Sequence, residues 1–343
     1  MTSSGDATAL QPSKIPPPKS RILGTGHYTP ARVVPNTELE KVVETTDSWI
    51  TERTGIRRRH LAADGEVTSD MAAAAGRRAL EAAGLNVADL DMIIVGTISG
   101  DTPVPSCAVH VQRKLGADDI PAFDISAACA GFVYGVTIAD QFIATGAATC
   151  VLVIGVELLS RILDWQDRTT CVLFGDGAGA VVLGPAKGDG RGILSTRIFT
   201  DGSLAESLAI PAGGTAEPLT EERLAAKRNK VQMIGQDIFR VAIKNLTSAS
   251  THALKAAGLT SAELDWVVAH QANLRIINQV SSRLGFPLER FILNIEEYGN
   301  TSSASIPIAL DEAVRDGRIQ PGQTVLLCAL GAGISWGAAM VRM

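Results

Sequence analysis

Ala79-Leu80-Glu81-Ala82-Ala83-Gly84-Leu85, followed by Ala88-Asp89-Leu90-Asp91 and the apolar run Met92–Val95, returns in the second half of the chain. The second copy is Ala253-Leu254-Lys255-Ala256-Ala257-Gly258-Leu259, then Ala262-Glu263-Leu264-Asp265 and the run Trp266–Ala269. Each copy reads as an amphipathic helix stopped by glycine, a short capped turn and a buried strand. The same shift aligns Val151-Leu152-Val153 with Val325-Leu326-Leu327, both apolar strands. Helical and strand patterns alternate in both halves, which predicts βαβ crossovers and parallel sheets covered on both faces. The expected fold is therefore α/β, a duplicated unit. Sites in such proteins lie at strand ends where the halves meet.

The chain has 343 residues, 46% of them hydrophobic, enough for a large core or two fused units. A net charge of −5 and a pI near 5.6 argue against a general nucleic-acid binder. The five cysteines, 107, 129, 150, 171 and 328, form no C-x-x-C pair and no disulfide framework, which speaks against zinc and secreted scaffolds. Residues 1–20 are polar and proline-rich, without an apolar core, and read as a disordered tail. No apolar stretch has the length of a bilayer span. The expectation is a soluble, cytoplasmic protein with reduced thiols.

Cys129 lies in Ala127-Ala128-Cys129-Ala130-Gly131-Phe132, between a short strand (Phe123–Ser126) and a helical pattern from Cys129 to Ala144. A thiol at a helix N-terminus meets unpaired N–H groups that favour thiolate, and small neighbours leave it approachable. Two readings stand at this point, a nucleophile and a small buried hydrophobe. Gly175-Asp176-Gly177-Ala178-Gly179 follows Cys171–Phe174 and leads into Val181-Val182-Leu183, another strand. A phosphate-cradling loop opens a helix, so a tight antiparallel connection is expected here and no nucleotide site. Gly331-Ala332-Gly333 likewise separates two strand patterns and would let backbone approach a ligand closely.

Of the five histidines, His270 alone ends a buried strand pattern, Trp266–Ala269, and opens the polar cluster His270-Gln271-Ala272-Asn273. It is a candidate to project into a cleft; a helix-capping histidine is the alternative. Asn300, in Tyr298-Gly299-Asn300-Thr301-Ser302-Ser303, can donate through its amide or serve as a plain N-cap. Together Cys129, His270 and Asn300 make a reactive set: a thiolate nucleophile with two neutral donors.

These runs, with Asp47-Ser48-Trp49-Ile50, Arg53-Thr54-Gly55-Ile56, His270–Ile276 and Asp311-Glu312-Ala313, resemble β-ketoacyl-[acyl-carrier-protein] synthase III, a family of thiolase-like condensing enzymes. The resemblance runs from about Arg21 to Met343. It implies two thiolase-like halves in five layers, α-β-α-β-α, as a homodimer. The halves are expected at 21–187, with the cysteine, and 188–343, with the histidine and asparagine, after a tail at 1–20. It implies that Cys129 takes an acyl group from acyl-coenzyme A. Malonyl-acyl-carrier protein then loses CO2, and its carbanion attacks the acyl-cysteine to give a 3-ketoacyl product. His270 and Asn300 would hydrogen-bond the malonyl thioester oxygen, and the N–H groups of Cys129 and Ala332 would serve the tetrahedral oxyanion.

By the same resemblance Trp49 and Arg168 would sandwich the adenine ring of coenzyme A, with Arg53 and Thr54 at the nucleotide end. Gly235, Phe239, Ala272 and Asn273 would line the pantetheine tunnel. Arg240, Arg275 and Arg283 would receive an acidic acyl-carrier protein, and no cofactor or metal is implied, nor any nucleic-acid or membrane partner. The chain departs from the family at Gln236, where Asn is common, at Ala332, where Gly is frequent, and at Val104. There a bulkier Phe, reaching across the dimer, often closes the acyl pocket. A papain-like protease shares the order Cys, His, Asn but not the duplicated α/β pattern. The standing alternative is an acyltransferase or condensing enzyme of polyketide-type secondary metabolism on the same fold.

Overall fold

The computed structural model describes residues 17–343, so residues 1–16 of the expected tail lie outside the described residues. Strand β1 (Ser20–Tyr28) already starts within the remainder, where Ser20 is buried and its hydroxyl donates to Asp140 at 2.6 Å. Ser20 thus belongs to the fold and not to the tail. The first half continues with α1 (Thr68–Ala83), β2 (Met92–Gly96), α2 (Cys107–Leu115), β3 (Ala122–Ile125), α3 (Gly131–Ala144), β4 (Val151–Glu157) and β5 (Gly177–Pro185). The second half contains β6 (Gly192–Thr200), α4 (Gly235–Ala256), β7 (Trp266–Ala269), α5 (Leu274–Leu284), α6 (Ser305–Arg315), β8 (Thr324–Gly331) and β9 (Ser335–Arg342).

The repeat seen in the sequence is a repeat in space. After α1 and α4 the chain turns through Gly84 and Gly258, both left-handed at φ 68° and 63°. The following turns close alike: the Asn86 N–H donates to the Asp89 carboxylate at 2.7 Å, and the Thr260 N–H to Glu263 at 3.0 Å. The strands then pair in one register, Met92 parallel to Val151 and Trp266 parallel to Val325. One sheet runs β1-β5-β4-β2-β3 and the other β6-β9-β8-β7, with Phe291 bridging Val267 where β3 would stand.

The sheets are mixed, which corrects the expectation of parallel ones. β2, β3 and β4 are mutually parallel, but β5 runs antiparallel to β1 and β4, and β9 antiparallel to β8 and β6. The link from β8 to β9 is only Ala332–Ile334, too short for the crossover that a parallel pair needs. Cys171–Phe174, read as a strand, is a turn: the Cys171 N–H donates to Asp167 and the Leu173 N–H to Thr170. The chain beyond it enters β5 and no helix.

Side-chain alternation builds the layers. Met92, Ile94, Val151 and Val153 face a central core shared with α3, α6 and the second sheet's Val268, Val325 and Leu327. Ile93, Val95, Leu152 and Ile154 face α1 and α2 on one outside, and Val267, Leu326 and Cys328 face α4 and α5 on the other. The order is α-β-α-β-α. The middle helix α3 is apolar nearly all round because both faces meet a sheet; its Phe132, Val133 and Val136 are wholly buried. No helix among the described residues is long and apolar enough to cross a membrane.

Candidate active site

Cys129 sits in a 3₁₀ turn, Ala128–Ala130, between the end of β3 and the start of α3. The side chain is buried at 6% exposure. Burial pushes its thiol up to about 12, and the nearby Glu157 carboxylate adds to the rise against an opposing hydrogen bond from Ser302. The expected thiolate at rest is thereby corrected: loss of water outweighs the helix end. A partner must remove the proton when the sulfur reacts.

His270 follows β7 directly, its backbone N–H held by the Cys328 carbonyl at 2.8 Å. The Ser305 hydroxyl has one hydrogen and two acceptors in reach, His270 Nδ1 at 2.7 Å and the Ser302 carbonyl at 2.9 Å; given to Nδ1, it puts the hydrogen of the neutral ring on Nε2. Nε2 is left for the cavity. Burial pushes the imidazole down to about 3, so it is neutral at physiological pH. Asn300 is fixed by its side-chain carbonyl, which accepts the Ser302 N–H at 2.8 Å. A backbone N–H only donates, so the partner is Oδ1 and Nδ2 is left as a donor. The side chain closes a local turn and also keeps a free amide, joining the two readings of the sequence.

The three residues come together. Cys129, His270 and Asn300 line one cavity of about 180 Å³, and Gly235, Phe239, Ala272 and Asn273 line the same cavity. A second cavity, of about 210 Å³, is also lined by Cys129. Its walls include Ile98, Leu159, Phe174, Leu208, Ile210 and Val231, with Ala332 and Ser302 beside the sulfur. A buried thiol thus stands between a channel with two neutral hydrogen-bonding groups and a nearly all-apolar chamber. That arrangement suits an acyl group held as a thioester, with its chain in the chamber and a second carbonyl met by the donors. Neither the Cys129 nor the Ala332 N–H donates to the loop and cap carbonyls of the described residues.

Models of 3-oxoacyl-[acyl-carrier-protein] synthase III match residues 123–202, and those of its C-terminal part match residues 254–343. The chain is 50% identical to the β-ketoacyl-[acyl-carrier-protein] synthase III of Paramagnetospirillum magneticum over 95% of this chain and 99% of that one. The chain belongs to the β-ketoacyl-[acyl-carrier-protein] synthase III family. It is 47% identical to the enzyme of the same name from Clostridioides difficile, over 94% of this chain and 98% of that one. The crystal structure of the synthase III of Aquifex aeolicus superposes with a TM-score of 0.88 at 44% identity, covering 94% of this chain and all of that one. The fold is thiolase-like and the protein is an acyltransferase of the condensing type.

The outer residues that family resemblance pointed to are placed less uniformly. Trp49 is half-buried on the helix Asp47–Thr54, and the guanidinium carbons of Arg53 and Arg168 lie 4.5 and 4.8 Å from its ring centre. An aromatic ring between Trp49 and Arg168 needs two van der Waals separations, roughly 7 Å. Arg168 must therefore swing away before any base enters. Thr54 differs from expectation: it is 3% exposed, and its hydroxyl donates to the Ile50 carbonyl at 2.6 Å and accepts the Ile56 N–H at 3.0 Å. It holds the helix end and has no hydrogen left for a nucleotide. Arg240 is exposed but paired with Asp237 at 2.7 Å, whereas Arg275 and Arg283 are exposed on α5. Val104 is 84% exposed and lines neither cavity of its own chain.

Sequence reasoning missed Ser305, which orients His270, and Glu157, wholly buried beside the cysteine. Glu157 did carry a signal: an acid ending the uninterrupted apolar strand Val151–Val156. The chamber residues Ile98, Leu159 and Val231 carry none, because each comes from a separate loop or strand end.

Proposed function

We propose that the protein condenses an acyl-coenzyme A starter with malonyl-acyl-carrier protein, giving 3-ketoacyl-acyl-carrier protein, coenzyme A and CO2, and so initiates fatty acid synthesis. The observation that carries this reading is the position of Cys129 in the wall common to both cavities. The starter chain enters the apolar chamber as its carbonyl joins sulfur. The channel along Gly235, Phe239, Ala272 and Asn273 then takes the pantetheine arm, first of coenzyme A and later of the carrier protein. Neutral His270 and the Asn300 amide hydrogen-bond the malonyl thioester oxygen, while the Cys129 and Ala332 N–H groups receive the tetrahedral oxyanion. Residues 21–187 and 188–343 act as two halves of one site, supplying the nucleophile and the donors respectively. Arg275 and Arg283, with Arg240 once freed from Asp237, meet the acidic carrier protein at the mouth. The setting is the cytoplasm, and the working form is a homodimer. The test is reconstitution with acetyl-coenzyme A and malonyl-acyl-carrier protein: equal yields of ketoacyl product and CO2 support the reading, and CO2 without product refutes it.

Trp49→Ala is expected to raise KM for acyl-coenzyme A by about five- to 150-fold, the range of stacking losses of roughly 1–3 kcal/mol. The maximal acylation rate stays near wild type. A pantetheine thioester lacking the nucleotide shows no change, which separates lost stacking from a damaged site. Steady-state kinetics on the two donors measures it.

Val104 is proposed to act across the dimer, closing the chamber of the partner protomer. Val104→Phe then narrows the chain-length profile towards acetyl, each excluded methylene losing about fourfold in kcat/KM from about 0.8 kcal/mol. Comparing acetyl, butyryl, isobutyryl and octanoyl thioesters measures it. An unchanged profile removes Val104 from selectivity.

A further inference from the structure

Glu157 ends β4 inside the protein, with no exposed surface, and the condensation just described assigns it nothing. Its partners are hydroxyls and one backbone N–H. The carboxylate accepts from Ser99 Oγ at 2.5 Å, from Ser302 Oγ at 3.1 Å, from Thr97 Oγ1 at 3.2 Å and from the Ile98 N–H at 3.2 Å. One of these residues, Ser302, also lines the apolar chamber together with Cys129. Ser302 holds a left-handed backbone, φ 49°, unusual for serine, and the Asn300 side chain pins its N–H there. One residue thus shares a cavity wall with Cys129 and donates its hydroxyl to a buried carboxylate.

The geometry points to Glu157 as the acceptor of the Cys129 proton, passed through the Ser302 hydroxyl and stored until the cysteine is released. This rests on Cys129 being the acylated residue. In the resting relay the thiol donates to Ser302 Oγ and the Ser302 O–H donates to Glu157. The S–H bond breaks with its electron pair left on sulfur; Ser302 Oγ gains that proton and gives its own to a Glu157 oxygen. Thiol and carboxylate become thiolate and carboxylic acid. The thiolate attacks the acyl carbonyl, and coenzyme A leaves as a thiolate that takes its proton from water. When the enolate formed by decarboxylation displaces Cys129, the sulfur recovers the proton held on Glu157.

Electrostatics favours this route over His270. Burial lifts the Glu157 carboxyl to about 7 and lowers His270 to about 3, so Glu157 is the more basic of the two. The Glu157 charge itself opposes a Cys129 thiolate, and the transfer removes that charge in the same step. The other titratable group that senses Glu157 is buried Cys107 at the start of α2, beside Asp124 and Asp101. Among the described residues, its hydrogen-bond partners from the β2 end and the Ser302 turn are the uncharged Thr97, Ile98, Ser99 and Ser302, and on β5 it pairs with Gly177.

The test follows alkylation of Cys129 by iodoacetamide in the intact protein between about pH 5 and 10, with the modified peptide mapped. The wild-type rate is expected to show an inflection near the Glu157 value of about 7. Glu157→Gln should react on the order of 10²-fold more slowly at neutral pH and rise steadily with pH, without that inflection. Ser302→Ala should do the same with Glu157 intact, and it carries the test if the glutamine variant does not fold. Wild-type profiles in the folded variants would overturn the relay. The reagent needs neither thioester, so failure of the acyl-transfer reading looks different: a normal alkylation profile in a protein that no acyl-coenzyme A acylates.

Discussion

His270→Ala and Asn300→Ala are each expected to slow CO2 release from malonyl-acyl-carrier protein by about 10²–10³-fold, the usual loss for one oxyanion donor. Acylation of Cys129 should survive in both. The split follows from geometry. Both side chains line the channel with Gly235 and Phe239, the proposed path of the malonyl thioester, and neither lines the apolar chamber. His270 is held neutral by burial, and Asn300 by its chemistry, so each offers a hydrogen without a charge. An enolate oxygen forming in a dry site gains most from donors already in place. Release of labelled CO2 reads one step, and intact mass of the acylated protein reads the other. Undiminished CO2 release in both variants removes these residues from the enolate site.

Gly331→Ala should be nearly as damaging, though it removes no functional group. Gly331 ends β8 with φ −133° and ψ −177°, a conformation alanine adopts freely. Contact is the obstacle. A Cβ there would lie 2.6 Å from the Ala127 carbonyl oxygen and 2.6 Å from the Cys129 backbone nitrogen. Both are backbone atoms of the turn that carries Cys129, so the turn must move. Overpacking of this kind costs about 1–3 kcal/mol and lowers Tm by several degrees, and a displacement near 1 Å at a reacting group costs about 10²-fold in rate. The acylation rate and Tm measure it, with Gly202→Ala as comparison, since a Cβ at Gly202 meets nothing within 4 Å. A Gly331→Ala protein with wild-type acylation would show that the turn is not held to its position.

The duplication was legible because its marks are local. Glycine stops at Gly84 and Gly258, acid-closed turns at Asp89 and Glu263, and apolar strands at constant spacing depend on neighbours in sequence. Strand direction was legible only in part. Whether β5 and β9 run against their neighbours depends on connections whose lengths become evident only once the strands are bounded. At the site, Cys129, His270 and Asn300 stood out because each breaks a pattern at an element end. Thr54 was misplaced because a motif names a residue without saying which way its hydroxyl faces. The thiol's state was misjudged because burial, a tertiary property, outweighs the helix end that sequence reveals. Ser305 meets His270 from 35 residues further along the chain, and Glu157 meets Ser302 across 145, so only the fold brings these pairs together.

The account stands on Cys129 as the residue that takes the starter. Incubation of the wild-type protein with a panel of acyl-coenzyme A thioesters, followed by intact mass spectrometry and peptide mapping, tests this most directly. The predicted result is one acyl group per chain, carried on Cys129, with none on the other buried thiols Cys107, Cys150, Cys171 and Cys328. An acyl group found on one of those four, or 3-ketoacyl product formed while Cys129 stays unmodified throughout turnover, would contradict it.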